Sequence, residues 1–527
     1  MIKSKVFGLE DFSGGLNTRN YAKGLEPQYS PNCVNVHSNL YKNLVIRNGF
    51  TVFSNTLAET NSYGLFKYVY LASGIILDMM IKFSDSKMWK MDGIDGTWDE
   101  VTMATAQTPN LYSSTTYSTA STNYFIFGNY DMNTMQIYSG GTTTTDIATA
   151  TLTSSRYMIA WKNHLWCLYT KENGTIYPYR LRRTNINTYG SAATDWTAGV
   201  SGYDDVITAD GDYGTALIGL KSNIYIFKKN SIFRVIYLGG TPLVEIKQMS
   251  SIGCESPNTI KKVTLLNGDE FLIFLGTDNR IYMFDGYNAP QSLTEMVMDN
   301  NNISPYSLDK INKSRRLYAC AENYNTKHWY VIFVPHTGSS TNNLGYIVDY
   351  YSVPISIFPI TNINASTCRE VEDSTGNKYI YFDKEDGITY KFDDGNSDNT
   401  VAINAYYETP KLRTDKLPYL KKVQQVQSYW KPTGGYNTTF AYRINDSVTY
   451  NSTTIGLSGS GDKLGSSFVL GTSKLSSQVD VCSTQDIPQI MNSIQFKISN
   501  NTTNPRTSLY EIDLLGEPEG IASIKTE

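Results

Sequence analysis

Apolar residues in this chain recur in short runs rather than in helical stripes. Between residues 60 and 400 the runs Tyr124–Phe127, Tyr157–Trp161, Leu165–Tyr169, Ala216–Leu220, Ile224–Lys228, Phe271–Leu275, Tyr330–Val334 and Tyr379–Phe382 are separated by clusters of Gly, Asn, Asp, Ser and Thr. Runs of four to six residues bounded by turn formers predict β-strands. No part of this region keeps a 3.6-residue apolar stripe over three turns, so no long helix is expected. The most apolar stretch, Tyr68–Leu77, is flanked by Lys67 and Asp78. It is too short to cross a bilayer and predicts a buried strand pair. Residues 1–60 show no clear period and are dense in Asn, Gly, Ser and Pro, which predicts an extended arm with turns.

One pattern repeats. Asp85-Ser-Lys-Met-Trp89-Lys-Met-Asp92-Gly93 matches Asp278-Asn-Arg-Ile-Tyr282-Met-Phe-Asp285-Gly286, and Asp386-Gly-Ile-Thr-Tyr390-Lys-Phe-Asp393 follows it with one extra Asp before Gly395. Each copy reads as a turn, a short strand and a second turn: the first Asp bonds nearby amides and the Asp-Gly closes the next reversal. The central aromatics lie 193 and 108 positions apart, close to four and two units of about 50 residues. That is the size of a propeller blade. Weaker copies, Asn163-His-Leu-Trp166, Asn223-Ile-Tyr225-Ile-Phe227 and Leu344-Gly-Tyr346-Ile-Val-Asp349, are expected to fill the gaps. A β-sandwich array with recurring Asp-Gly hairpins is the competing architecture.

After residue 400 the pattern changes. Ile403–Tyr407, Leu420–Tyr429, Thr438–Tyr442, Phe468–Leu470, Ile494–Ile498 and Tyr510–Leu515 read as strands, several alternating, with polar loops between. The expected fold is all-β: an N-terminal arm (1–60), a β-propeller-like domain of six or seven blades (61–400), a β-sandwich platform (401–517) and a polar tail (518–527).

Composition narrows the function classes. The 527 residues include 45 Lys+Arg and 49 Asp+Glu, a net charge of −4, with 18% charged, 13% aromatic and 40 Tyr. A chain this neutral lacks the basic stripe of a nucleic-acid-gripping protein. It has ample apolar content for a core, and it is not the Ala/Glu/Lys/Leu mixture of a coiled coil. The opening Met1-Ile-Lys-Ser-Lys-Val-Phe-Gly lacks the apolar core of a signal peptide. Cys33, Cys167, Cys254, Cys320, Cys368 and Cys482 are widely spaced and form no C-x-x-C, which predicts buried free thiols in a reducing cytoplasm.

The catalytic inventory is thin, and no enzyme, metal or cofactor is expected. His37, His164, His328 and His336 share no metal-ligand spacing, and His328, before Trp329, reads as half-buried. There is no G-x-S-x-G elbow and no phosphate-binding P-loop. Gly459-Ser-Gly461 with Gly465 reads as a surface loop. Asp394-Gly-Asn396-Ser-Asp398 has oxygen donors at alternate positions, as a calcium loop does, but Asn399 and Ala405 replace the expected Gly and Glu. Asp204, Asp205, Asp210 and Asp212 offer a carboxylate pair for glycosidic chemistry, against an inter-blade turn punctuated by Gly211 and Gly214. Asp95-Gly-Thr-Trp98 resembles a single sialidase-type turn, out of register and without a second copy. Arg180-Leu-Arg182-Arg183, Phe227-Lys228-Lys229 and the cations after Pro410 (Lys411, Arg413, Lys416, Lys421, Lys422) are too sparse for a phosphate-tracking groove.

The N-terminus carries the most specific signal. Phe12-Ser-Gly14-Gly15-Leu16-Asn17-Thr18-Arg19 leads to Leu25-Glu-Pro27-Gln28, then Asn35-Val36, then Arg47-Asn-Gly49-Phe50. This resembles the opening of tail nozzle proteins (tail tubular protein B, or tail hub) of short-tailed bacteriophages, and the close match is confined to these segments. Asn404-Ala-Tyr-Tyr-Glu408-Thr-Pro410 with Lys421-Lys422 looks like the start of the platform in such proteins. The glycines permit turn conformations closed to other residues, and Arg19 and Arg47 can make forked contacts that pin the arm. The resemblance implies a structural virion protein of the phage tail, made in the host cytoplasm. Such nozzles form a hexameric ring below an adaptor ring and portal. The ring retains the genome and lets DNA pass without sequence recognition, and it contacts tail fibres or other tail proteins and, in some cases, the host envelope. Abundant Tyr suits an oligomer of many interfaces, and a near-neutral wall suits a conduit. Two other readings stay open: a receptor- or glycan-binding tail propeller, and a glycan-cleaving propeller enzyme.

Overall fold

The computed structural model describes residues 4–517 apart from 20–23, 73–74, 148, 150, 296–304, 374, 414–420, 434–435, 446, 459–479, 492 and 504–506. Among the described residues the regular structure is strand, with four one-turn 3-10 helices, and no helix is long and apolar enough to cross a membrane. All eight apolar runs expected between 60 and 400 lie inside strands. Tyr68–Leu77 spans the two arms of a hairpin, Ser62–Ala72 against Ile75–Ser84, but the pair is not buried as expected: Tyr68 is buried, while Ile76 is 72% exposed.

Seven antiparallel sheets follow one another along the chain, over residues 62–101, 112–146, 154–205, 214–250, 261–292, 320–361 and 367–392. Within each sheet the strands pair in sequence order. The first strands of successive sheets lie side by side: Ser62–Ala72 against Tyr112–Ser118, that against Ser154–Trp161, and so to Thr367–Glu372, which returns to Ser62–Ala72. Sheet five makes its contact with sheet four through its second strand, Glu270–Leu275. The first strands, each the edge strand of its sheet, therefore close into a ring, a propeller-like arrangement whose inner edges are short and protected by their neighbours.

The repeat is explained by this layout. Asp85, Asp278 and Asp386 open the turn between the second and third strands of sheets one, five and seven, which are four and two sheets apart. Asp278 accepts a bond from the Tyr282 hydroxyl (2.5 Å) and Asp386 one from Tyr390 (2.8 Å). Their other oxygens hold the turn amides of Arg280 and Ile388. Two of the weaker copies differ: Asn163 lies in the turn before a second strand and Asn223 opens a second strand, and only Leu344–Asp349 is a third strand. An Asp or Asn turn before an aromatic strand occurs in both hairpins, so the short motif does not fix the phase.

Sheet seven receives its fourth strand from the N-terminal part, Phe50–Val52, which pairs with Thr389–Phe392. Sheets one and seven are also latched by a buried ion pair. Lys82 Nζ lies 3.2 Å from Asp383 Oδ1, and both side chains are fully buried. The Asp383 carboxylate also accepts from the hydroxyls of Ser62, Thr367 and Thr389. Trp98, from the expected sialidase-like turn, is buried and donates its indole N–H to Thr389 Oγ1.

Residues 401–517 contribute to two further sheets. One orders Val481–Met491, Lys421–Trp430, Ser508–Glu517, Leu44–Ile46 and Val36–Ser38, with Ser4–Leu9 also on Ser508–Glu517. The other orders Asn451–Gly456, Asn437–Ile444, Ser493–Thr502, Ile403–Glu408 and Asn32–Val34. Trp430 of the first meets Phe440 of the second edge-on, 6.1 Å between ring centroids. The segment expected as an extended arm is thus shared out. It supplies strands to both of these sheets and to sheet seven, and Gly15–Leu16 runs parallel to Ser356–Thr361 of sheet six. The expected strand Phe468–Leu470, the Gly459–Gly465 loop and the 518–527 tail lie outside the described residues.

Five cysteines are buried, and burial pushes the thiols of Cys33, Cys167 and Cys254 up to about 12. Cys482 departs from the expectation. It occupies an outward position of the alternating strand Val481–Met491 and is exposed.

Candidate functional site

Most of the motif residues gather where the N-terminal segment meets sheets six and seven, while Pro27 and Arg19 lie apart on the surface. Phe12 is fully buried, edge-on to Tyr407 at 5.7 Å, and its N–H donates to the Lys42 carbonyl. Gly14 N–H donates to the Gln28 carbonyl. Gly15 has φ +70°, and a Cβ there would lie 2.7 Å from the Ile357 carbonyl oxygen, so the parallel pairing with sheet six requires glycine. Leu16 is buried in the same core. Asn17 N–H donates to Ser30, and Asn17 Oδ1 accepts the Arg19 amide. Thr18 is half-buried and Arg19 exposed, with Arg19 Nη1 donating to the Glu295 carbonyl. Pro27 is the second residue of an exposed turn closed by Tyr29 N–H on Glu26.

Arg47 is the centre of the junction, 2% exposed. Its Nη1 and Nη2 reach the two oxygens of Asp398 at 2.8 and 2.7 Å. Nε donates to Asn35 Oδ1, and the remaining hydrogens go to the carbonyls of Asn48 and Thr361. Asn35 in turn donates to Thr361 Oγ1 and the Asn404 carbonyl. Gly49 lets the 395–397 backbone pass directly over it: Gly49 N–H donates to Gly395, and a Cβ would fall 1.9 Å from the Ser397 carbonyl oxygen.

The charged clusters weighed for chemistry are tied up locally. The first and last carboxylates of Asp394–Asp398 go to different protein partners, Asp394 to the Thr51 hydroxyl and Asp398 to Arg47. Antiparallel pairing sets Arg180 opposite Asp205, and the two form a bidentate contact at 2.7 and 2.9 Å. Arg183 pairs with Asp204, and Arg182 with Glu172. Tyr177 and Tyr203 each stack on the Arg180 guanidinium at 3.8 Å. Asp212 holds the amides of Lys229 and Asn230, while hydrogen bonds within its turn hold the exposed Asp210 below the usual carboxylate range. Among the described residues no group of three His, Cys, Asp or Glu is placed to hold a metal. Lys416 lies outside the described residues.

One feature escaped the sequence. A cavity of about 610 Å³ opens where the hairpin Val36–Ser38/Leu44–Ile46 crosses turns of sheet six. His37, Trp329 and Asp349 line it, with His328 stacked on Tyr351 at 5.3 Å. Burial pushes the Asp349 carboxyl up and holds the His37 imidazole below its ordinary value. These groups are hundreds of positions apart, and no local spacing announces them.

No family model and no curated protein matches the chain. Solved structures do resemble it. The extracellular domain of a one component system from B. thetaiotaomicron is 12% identical, with a TM-score of 0.40; the match covers 74% of this chain and 45% of that one. The chain therefore spans under half of that domain's length. The Cps50 (Swd1) β-propeller domain of Myceliophteria thermophila is 10% identical over 64% of this chain and 99% of its own, TM-score 0.39. The Neurospora crassa Pan2 WD40 domain is 8% identical over 66% and 94%, TM-score 0.34. At such identities the likeness concerns the fold alone.

Proposed function

We propose that this chain is a structural virion protein of the tail nozzle type, one copy of a ring-shaped conduit at the distal end of a short phage tail. The seven sheets are read as the blades of a propeller, and the two sheets built mainly from residues 401–517 as a sandwich platform beside it. The observation that carries the reading is the position of the motif residues. The segments through which the sequence resembles nozzle proteins are the ones this fold uses to join the ring to the platform, through Arg47, Asn35 and Gly49. A resemblance rooted in the joint between two bodies speaks for shared architecture. The role is mechanical: the hexameric assembly of such chains holds the genome and lets DNA pass, with adaptor ring and tail proteins as neighbours. The near-neutral composition supports this, because a basic lumen would hold the moving phosphates.

The test is the assembly. Sedimentation of the purified chain and imaging of virions are expected to give a six-fold ring at the distal end of the tail. A chain that sediments only as a monomer and is missing from virions overturns the proposal.

A further inference from the structure

The cavity over sheet six is open to solvent and partly apolar. Three large aliphatic side chains stand on its rim, Leu40, Leu266 and Val353, exposed by 80%, 70% and 90%. One face of Tyr351 is covered by His328, and the residue remains 44% exposed. An apolar rim around polar groups marks a binding site rather than ordinary surface.

The polar groups have hydrogen-bonding capacity left. His37 Nδ1–H donates to the Ser38 carbonyl, which leaves Nε2 as an acceptor. Asn39 Oδ1 takes the amides of Tyr41 and Asn43, which leaves its NH2 free to donate. Asp349 spends Oδ1 on the amides of Tyr351 and Ser352 and also accepts from the Trp329 side chain, and the carboxylate's remaining lone pairs are open to the cavity. The cations are occupied: Lys42 pairs with Asp11 at 2.5 Å and Lys327 with Asp393. The cavity thus combines a flat aromatic face, mixed donors and acceptors, methyl-bearing walls and little free charge.

A ligand that matches needs hydroxyls that both give and accept hydrogen bonds, a C–H face to lie on a ring, and methyl groups, with no net charge. We propose that this cavity binds a neutral oligosaccharide bearing N-acetyl or 6-deoxy groups, stacked on Tyr351 and held by Asp349, His37 and Asn39. The cavity volume lies within the range of small-ligand sites, roughly 300–1,000 Å³. This site does not depend on the ring reading, and either can fail alone.

The purified full chain is screened on an array of neutral di- to tetrasaccharides made from hexoses, N-acetylhexosamines and 6-deoxyhexoses. The strongest binder is then titrated by calorimetry. Tyr351→Ala and Asp349→Asn are expected to weaken binding roughly tenfold or more, as loss of an aromatic contact or of a buried acceptor does. Tyr287→Ala, at an exposed tyrosine of sheet five outside the cavity, leaves it unchanged. Should Asp349→Asn lower the thermal midpoint sharply, Tyr351→Ala, at a partly exposed ring, decides. Absence of binding on the array overturns the proposal, as does binding that both cavity variants retain. Self-association lost in Val353→Asp, with no sugar bound by the parent, also overturns it and makes the cavity a contact between copies.

Discussion

Arg47 and Asp398 stand 351 positions apart in sequence and meet in a two-pronged buried ion pair, with N–O distances of 2.8 and 2.7 Å. All five guanidinium hydrogens have acceptors: the two Asp398 oxygens, Asn35 Oδ1 and the carbonyls of Asn48 and Thr361. Complete satisfaction is what makes such a charge tolerable away from water. The same residues connect the N-terminal segment, the end of sheet six and the chain leaving sheet seven. The contact therefore fixes how the ring meets the two sheets built mainly from residues 401–517.

Breaking this pair from either side leaves a buried unpaired charge. Arg47→Met and Asp398→Leu are each expected to cost about 3–5 kcal/mol in urea unfolding. The double variant should cost clearly less than the sum, because it leaves no charge behind. Arg47→Lys is not a rescue, since an ammonium lacks the planar fork that serves both oxygens and Asn35 at once. Additive single and double costs would show that the two groups act independently.

Lys82 and Asp383 hold the first sheet to the seventh. Lys82→Met leaves Asp383 with hydroxyl donors only and should cost about 3 kcal/mol. The loss is expected to be local before it is global. Amide exchange should rise in 62–84 and 378–392, the strands on both sides of the closure, ahead of sheets three and four. Uniform acceleration would mean that the ring does not open at this seam.

What was legible in the sequence was local. Asp278 and Tyr282, or Asp386 and Tyr390, touch across four positions, so their spacing could be read and counted to four and two sheets. The alternating strands were legible for the same reason. The fourth strand of sheet seven was not, because Phe50–Val52 pairs with Thr389–Phe392, more than 330 positions away in sequence. Asp398 sits in a run whose oxygen spacing suggests a cation loop, and nothing nearby announces that a guanidinium from residue 47 takes the carboxylate. The cavity is the extreme case: His37 and His328 come together through two separate sheets, and each alone looks like an unremarkable half-buried histidine.

Gly49 offers a steric test. Its φ lies outside the left-handed region, so the objection to a side chain there is contact rather than strain: an added Cβ would meet the Ser397 carbonyl oxygen at 1.9 Å and its carbon at 2.3 Å. Gly49→Ala is expected to destabilise by about 1–3 kcal/mol or more, since the backbone must shift to admit it. Gly141 is the control, with φ +89° and nothing within 4 Å of an added Cβ. Gly141→Ala should cost about 1–2 kcal/mol, from conformation alone. Equal m-values with a larger loss of midpoint at Gly49 would support the contact argument, and a milder effect at Gly49 than at Gly141 would contradict it.

His164 sets a pH dependence. It is fully buried, and its Nδ1–H donates to the Thr184 carbonyl at 2.7 Å. Burial pushes its pKa below the ordinary 6.5, and His37 is shifted the same way. The unfolded chain then binds protons that the folded chain refuses, so stability is complete above pH 6.5 and declines as the pH falls below it. The slope is at most about 1.4 kcal/mol per pH unit for each histidine. Asp349 and Glu370, whose carboxyls burial pushes up, act in the opposite sense: protonating them favours the folded chain as the pH falls through their raised values. Comparison with His164→Gln isolates the histidine from these carboxyls. Between pH 7.5 and 5.5 the parent should lose more thermal stability than His164→Gln, and parallel profiles would mean that the imidazole becomes charged without leaving the fold.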